Sequence, residues 1–429
     1  MPPLFLSKLK RDGRSPHQAA RPKRVVYVLL LIAWGLLVIA CADPDLVCDD
    51  PLGCVRIGAN DSIEIAYLLA LSGEAGYLGQ DSLRGIELAL LERDNLFMDH
   101  PVEMVGQDTE CIVEQGRVAA LETAENPLII GVIGSTCSAV TEVVIPIIDR
   151  AGQIIISPSS ARADLPMVDR TTTGDWQQSF FRTVPNTLWQ GRVAAEFAVN
   201  SLGVTTAVVV YDETEGSNAL RLTFTEAFTA LGGHMLFEWQ MISGQTDVSN
   251  VVEAVNQDLP ILLYLPLFEP EASLLINNLP LNGERFLLGA DSLLLPSFAV
   301  STGMAAEGMA LTGPAATGTA YEAFLEQWLV AYGDEPIVPY HIYAYDAVNM
   351  LLTAMATVAQ EGRNGVLLIG RQALREAMAQ MVFEGVSGQF MCQDSECNSQ
   401  AAIGIYQLTE AEIVGRHWPP PLIWQPPKR

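Results

Sequence analysis

The chain has 429 residues, 49% of them hydrophobic, too long for one ordinary core and too apolar for wholesale disorder. Its first 40 residues carry seven Lys/Arg against one acid, Asp12, and the remainder holds 17 basic against 49 acidic residues, a net of −32. A surface of that sign repels phosphate backbones, which excludes nucleic acid as a partner class, and its plain consequence is solubility.

The basic start runs into 16 uncharged residues, VVYVLLLIAWGLLVIA, Val25 to Ala40. A membrane-spanning helix needs about 20, so this length suits the apolar region of a signal peptide, with an uncleaved anchor helix as the alternative. The run ends in VIAC, and the small Ala40 before Cys41 resembles a bacterial lipobox. That resemblance implies cleavage after a signal peptide of residues 1–40, lipidation of Cys41 and attachment to the membrane through it. Both readings put the rest of the chain outside the cytoplasm. Six cysteines remain, an even number suited to an oxidising compartment, and proximity favours Cys48–Cys54, Cys111–Cys137 and Cys392–Cys397. Residues 41–61 then read as a lipidated linker stapled by its own small loop.

From Ser62 onward strand-like runs alternate with helical patterns. Ile63–Leu71 reads as a buried strand, and the stretch GQDSLRGIELALLERDN after it places Leu83, Ile86 and Leu90 at helical spacing. VEMVGQD, LIIGVIG and QIIISP are further strands, separated by the helical IVEQGRVAALETAEN and AVTEVVIPIIDRAG. A second set begins near Pro185. The helix WQGRVAAEFAVNSLG ends at Gly203, and TTAVVVYD, HMLFEWQ, ILLYLP and RFLLGAD are strands between helical segments. Three helical stretches and a short β-like tail follow, and the proline-rich WPPPLIWQPPKR reads as a polyproline-II tail. The alternation predicts an α/β fold of two doubly wound Rossmann-like lobes with a cleft between them. Ligands of such folds bind outside the carboxyl ends of strands, against helix N-termini. GSTCSAV (Gly134–Val140), SPSSA (Ser157–Ala161) and GAD (Gly289–Asp291) all sit at such ends.

Several stretches, in order, resemble the type I periplasmic binding proteins of the branched-chain amino-acid (Leu/Ile/Val) class that serve ABC transporters. They are IAYLLALSGEAGYLGQDSLRGIELAL, IIGVIGSTCSAVTEVVIPIIDRAGQIIISPSSA, FFRTVPNTLWQG and FEGVSGQF, and the likeness spans about Ser62 to Leu408. It implies three chain crossings, near 183–186, 312–315 and 385–389, and hinge closure on the ligand. The lobes implied are 62–184 with 313–386 and 185–312 with 387–410, followed by the tail 411–429.

By that resemblance Ser138 falls on a serine that offers a hydroxyl to the ligand's carboxylate. A helix N-terminus there offers N–H donors to an anion, and Ser138 can equally serve as an N-cap. Thr136 stands in the same turn. Ser159 and Ser160 form the second anion-facing turn. Ala161 stands where the family often has Thr, and Ser160 is the hydroxyl nearest to replace it. Asp291 falls where the family carries an acid that pairs with the ligand's ammonium; a solvated strand-end aspartate is the alternative. The aromatic walls differ: Leu78 occupies a family tyrosine position with Tyr77 beside it, the turn ETEGSN near Gly216 replaces a second aromatic, and Phe268 is a candidate wall or core residue.

The implied function is solute binding without catalysis, for an ABC transporter permease, with a small amino-acid-like ligand and no cofactor or metal. The sequence has no G-x-x-x-x-G-K-[ST], H-E-x-x-H or C-x-x-C motif, and its five histidines are scattered. A sensor of the same fold reporting to a membrane signalling partner shares every site residue. A thiol hydrolase using Cys137 is the remote alternative; it needs an electropositive reactive thiol, in a chain of the opposite charge.

Overall fold

The computed structural model describes residues 46–73, 75–165, 179–258, 262–280, 285–393, 396–399, 402–415 and 417–427. The signal segment 1–40 and Cys41 lie outside the described residues. Among the described residues no helix is long and apolar enough to cross a membrane.

The chain from Cys48 onward forms one compact unit. Its first part comprises β1 (Cys54–Ile57), β2 (Ile63–Leu69), α1 (Gly76–Leu91), β3 (Leu96–Phe97), β4 (His100–Asp108), α2 (Val113–Glu125), β5 (Ile129–Gly134), α3 (Ser138–Arg150), β6 (Ile154–Ser157) and β7 (Phe180–Arg182). The second comprises α4 (Thr187–Glu196) with a π-helical turn (Phe197–Ser201), β8 (Thr206–Tyr211), α5 (Glu215–Ala230), β9 (His234–Gln240), α6 (Ser249–Asp258), β10 (Leu262–Leu265), α7 (Glu271–Asn278), β11 (Phe286–Gly289), α8 (Pro296–Thr302) and β12 (Ala310–Ala315). Then follow α9 (Thr319–Tyr332), α10 (His341–Val358), β13 (Gln360–Glu361), β14 (Leu367–Gly370), α11 (Arg371–Ala379), β15 (Val382–Glu384), β16 (Gln389–Gln393), β17 (Glu396–Ser399), β18 (Ala402–Gln407), α12 (Glu410–Ile413) and β19 (Leu422–Trp424).

Two large sheets result, ordered β3-β4-β2-β5-β6-β7 and β19-β18-β12-β11-β10-β8-β9. Pairing is parallel from β4 to β7 and from β9 to β12. Strands β5, β6 and β10 are buried at every residue, because helices cover both faces of a parallel sheet; that is why they read as unbroken apolar runs. The first sheet packs one face on α1, α10 and α11 and the other on α2 and α3. The second packs on α6, α7 and α8, and on α4 and α5. Strand order reverses beside β2 and again beside β8, and these switch points put the ends of β2, β5, β8 and β10 where a ligand crevice forms.

Helix α10 is buried on nearly all sides, and Gly85 lets α1 lie against it: a Cβ there would stand 2.0 Å from the His341 carbonyl oxygen. Asp81 of α1 receives the His341 N–H at 2.7 Å. One passage between the cores, after β7, and the turn joining β15 to β16 fasten to the same helix. The Thr183 hydroxyl donates to the Tyr343 carbonyl at 2.8 Å, and Asp346 accepts the N–H groups of Val386 and Ser387 at 2.9 and 2.8 Å.

Three sequence expectations need correction. The stretch read as a linker is docked: β1 pairs with β14, and Asp50 accepts the N–H groups of Gln372 and Ala373 at the start of α11. The tail is not wholly polyproline, since Leu422–Trp424 pairs with β18 at the sheet edge, where prolines on either side need donate no ladder bond. The last passage between cores is not at 385–389: Phe390, Cys392 and Cys397 pack in the first core, so the chain leaves it beyond Ser399. The structure contains the disulfides Cys48–Cys54, Cys111–Cys137 and Cys392–Cys397.

Candidate functional site

Strand β5 ends on Gly134, whose φ of +139° suits glycine; a Cβ there would meet the Leu68 carbonyl oxygen at 2.3 Å. The turn that follows delivers Cys137 as the N-cap of α3 and Ser138 as its first residue. The Cys111–Cys137 disulfide ties this turn to the one ahead of α2. Cys137 therefore has no thiol, and the hydrolase alternative loses its nucleophile.

The hydroxyls around this turn fall into two groups. Ser157 and Ser160 both donate to the Ser135 carbonyl, at 2.8 and 2.9 Å. Thr141 bonds the hydroxyls of Ser135 and Ser160, each at 2.6 Å. Thr136 Oγ1 accepts the Ala70 N–H at 3.0 Å. Thr136 and Ser160 are buried in this scaffold, so the Ser160 hydroxyl is already engaged and does not supply what Ala161 lacks. Ser138 and Ser159 are only half-buried. The Ser159 hydroxyl donates to the Thr136 carbonyl at 3.0 Å. Ser138 Oγ accepts the Arg162 N–H at 3.3 Å, which leaves its own proton to donate. The turn thus offers an anion a hydroxyl beside a helix N-terminus.

Asp291 lies at the carboxyl end of β11. Its two oxygens accept from Gln190 Nε2 and from the Tyr340 hydroxyl, each at 2.7 Å, and Gln190 also donates to Thr312 at 2.9 Å. Both partners of the carboxylate are neutral. Burial, then Asp291, pushes the Tyr340 hydroxyl well above its ordinary pKa, which keeps it a donor. Tyr77 from the start of α1 stands in the same field: burial first, then Asp291 and Glu269, push its hydroxyl up to about 12. Tyr77, Leu78 and Ala161 pack against the second core, which brings the first sheet's loops onto the second sheet. Phe268 is 48% exposed, an open apolar surface rather than core. Among the described residues Asp291 forms no ion pair with Arg, Lys or His, so a ligand ammonium would be its first cation.

Arg162 was not singled out by sequence. It follows SPSSA directly, is buried, and pairs with Glu142 at 2.9 Å, with Asp164 at 2.6 Å and with Glu215. Glu215 opens α5 in the turn that replaces the family aromatic. Gln190 and Tyr340 were missed as well. Gln190 stands in the crossing motif TLWQG, a usable signal; Tyr340, just before α10, carries none. Among the described residues no group of three or more His, Cys, Asp or Glu side chains is placed to hold a metal ion.

Comparison with known proteins gives one family and a consistent set of relatives. A model of the periplasmic binding proteins matches residues 62–411. The chain is 25% identical to the leucine-specific-binding protein of Salmonella typhimurium over 304 residues, covering 70% of this chain and 80% of that one. Among solved structures, an ABC transporter substrate-binding protein from Sphaerobacter thermophilus superposes with a TM-score of 0.72 at 19% identity, covering 86% of this chain and 98% of that one. A branched-chain amino acid transporter substrate-binding protein from Streptococcus pneumoniae, bound to isoleucine, superposes with a TM-score of 0.70 at 18% identity, covering 82% and 97%.

Proposed function

Because this chain belongs to the periplasmic binding protein family, we propose that it is an extracytoplasmic solute-binding protein that closes on a small amino-acid-like ligand and presents it to an ABC transporter permease. One observation carries the ligand class: among the described residues a half-buried carboxylate, Asp291, is held by neutral donors only, while the turn at Ser138 is ready for an anion. A ligand with an ammonium and a carboxylate completes both ends. Ser138 and Ser159 take the carboxylate, Asp291 the ammonium, and Tyr77 and Phe268 flank the remainder. Thr136 and Ser160 hold the turn rigid from behind. Hinge bending occurs where the chain passes between the two cores. Residues 1–40 are a cleaved signal peptide, and lipidated Cys41 anchors the protein to the membrane.

Thermal-shift screening against amino acids, their amides and small carboxylates tests the reading. A ligand at 100-fold over Kd stabilises the folded state by about 2.7 kcal/mol. No shift with any of them refutes the ligand class. Lipid labelling of the Cys41→Ser variant tests the anchor separately, and label that persists refutes it.

A further inference from the structure

Arg162 is unusual in this cleft. Its side chain is 8% exposed, and three carboxylates meet its guanidinium. Two of them, Glu142 on α3 and Asp164 two residues on, belong to the first core's own segments. The third, Glu215, is the first residue of α5 on the second sheet and is 71% exposed. Arg162 Nε faces Asp164, Nη2 faces Glu142 and Nη1 faces Glu215, so each edge of the planar guanidinium has its own partner. The backbone is fixed too: the Arg162 carbonyl accepts from Arg182 at 2.6 Å, and its N–H donates to Ser138.

We propose that the Arg162–Glu215 pair is a latch between the lobes, which holds the cleft closed and sets how long a ligand stays. This rests on the hinge-closing reading above. When the lobes part, Arg162 keeps Glu142 and Asp164, so no buried charge is stranded and the only ion-pair contact this guanidinium gives up is Glu215. Glu215 returns to solvent, where a carboxylate is already at home. The pair therefore acts on the open–closed balance and not on folding. Its backbone bond to Ser138 places the latch one hydrogen bond from the serine proposed to meet the ligand. The turn that displaces a family aromatic thus supplies a charge at the rim where the lobes meet.

The test is a distance measurement on the full chain in detergent micelles without added ligand. Spin labels at V118C on α2 and V300C on α8, both exposed positions, report lobe separation by pulsed electron paramagnetic resonance. E215Q is expected to raise the ratio of long-distance to short-distance population about two- to fivefold, the range of an exposed ion pair. E215D is expected to restore much of the short-distance population, and salt near about 0.5 M to mimic E215Q in the wild type only. An E215Q distribution identical to the wild type overturns the latch while leaving hinge closure intact. A wild-type distance that stays single and unchanged across the amino-acid panel overturns hinge closure, and the latch with it. R162Q serves as a second arm if it folds: combined with E215Q, it should shift the populations no further than either change alone.

Discussion

Replacing Asp291 with Asn changes one charge and little else. Tyr340 can still donate to the Asn oxygen, and Gln190 can turn its amide to accept from the new NH2. The Thr312 hydroxyl then turns from the Gly289 carbonyl to donate to the amide oxygen, so both 2.7 Å contacts have a neutral replacement at the loss of one long hydrogen bond. The stability loss is then no more than about 1.5 kcal/mol. A ligand ammonium loses more, because a hydrogen bond between charged partners is worth about 1.5–3 kcal/mol, or roughly 10- to 150-fold in affinity. Isothermal titration of the amino acid that gives the largest thermal shift, and of its N-acetyl derivative, closes the cycle. Wild type should bind the free amine far better than the acetylated form, and D291N should bind the two almost equally. A D291N protein within threefold of wild type for the free amine refutes the assignment of Asp291 to the ammonium.

Two further outcomes follow from the framework. Removing the Cys111–Cys137 bridge with the pair C111S/C137S opens a loop of 26 residues and should cost about 3.5 kcal/mol in the chain-entropy model, read as a lower denaturation midpoint; a loss under about 1 kcal/mol contradicts it. Burial raises the Asp346 carboxyl from 3.8 to about 6 against the opposing hydrogen bonds from Ser387 and Val386. The folded state then binds this proton more tightly than the unfolded chain, so the contribution of Asp346 to stability is greatest below about pH 4 and falls by roughly 3 kcal/mol as pH rises through about 6. Denaturant titrations of wild type and D346N from about pH 4 to 7 should show the wild type losing ground to the variant across that window, and a pH-independent difference between them excludes it.

Both sheets were legible because their central strands are buried on two faces and leave unbroken apolar runs between amphipathic helices. HMLFEWQ begins and ends as read, at His234 and Gln240. Short segments stabilised from a distance were not legible. Cys54–Ile57 becomes a strand only because Leu367–Gly370 lies beside it, some 300 residues on, and Leu422–Trp424 only because β18 offers an edge. At the site, strand ends and turn chemistry pointed to the turns holding Ser138 and Asp291. The residues that orient them, Gln190 and Tyr340 on Asp291 and Arg162 beside Ser138, come from elements that no local pattern connects to those turns. The Ser160 hydroxyl shows the limit from the other side: its type suited a ligand, and its neighbours Ser135 and Thr141 had already taken it.

The fastening of Thr183, Val386 and Ser387 to one helix has a mechanical consequence. Loops that merely joined two bodies would bend according to their own composition. Here the passage at Thr183 and the β15–β16 turn are moored to the first two turns of α10, and Tyr340, one residue ahead of that helix, touches Asp291. Under the hinge reading proposed above, the pivot at Thr183 is therefore set against a buried helix, and the residue ahead of that helix reaches Asp291. Substitutions along the first two turns of α10, though remote from a ligand, would alter binding by shifting the pivot itself.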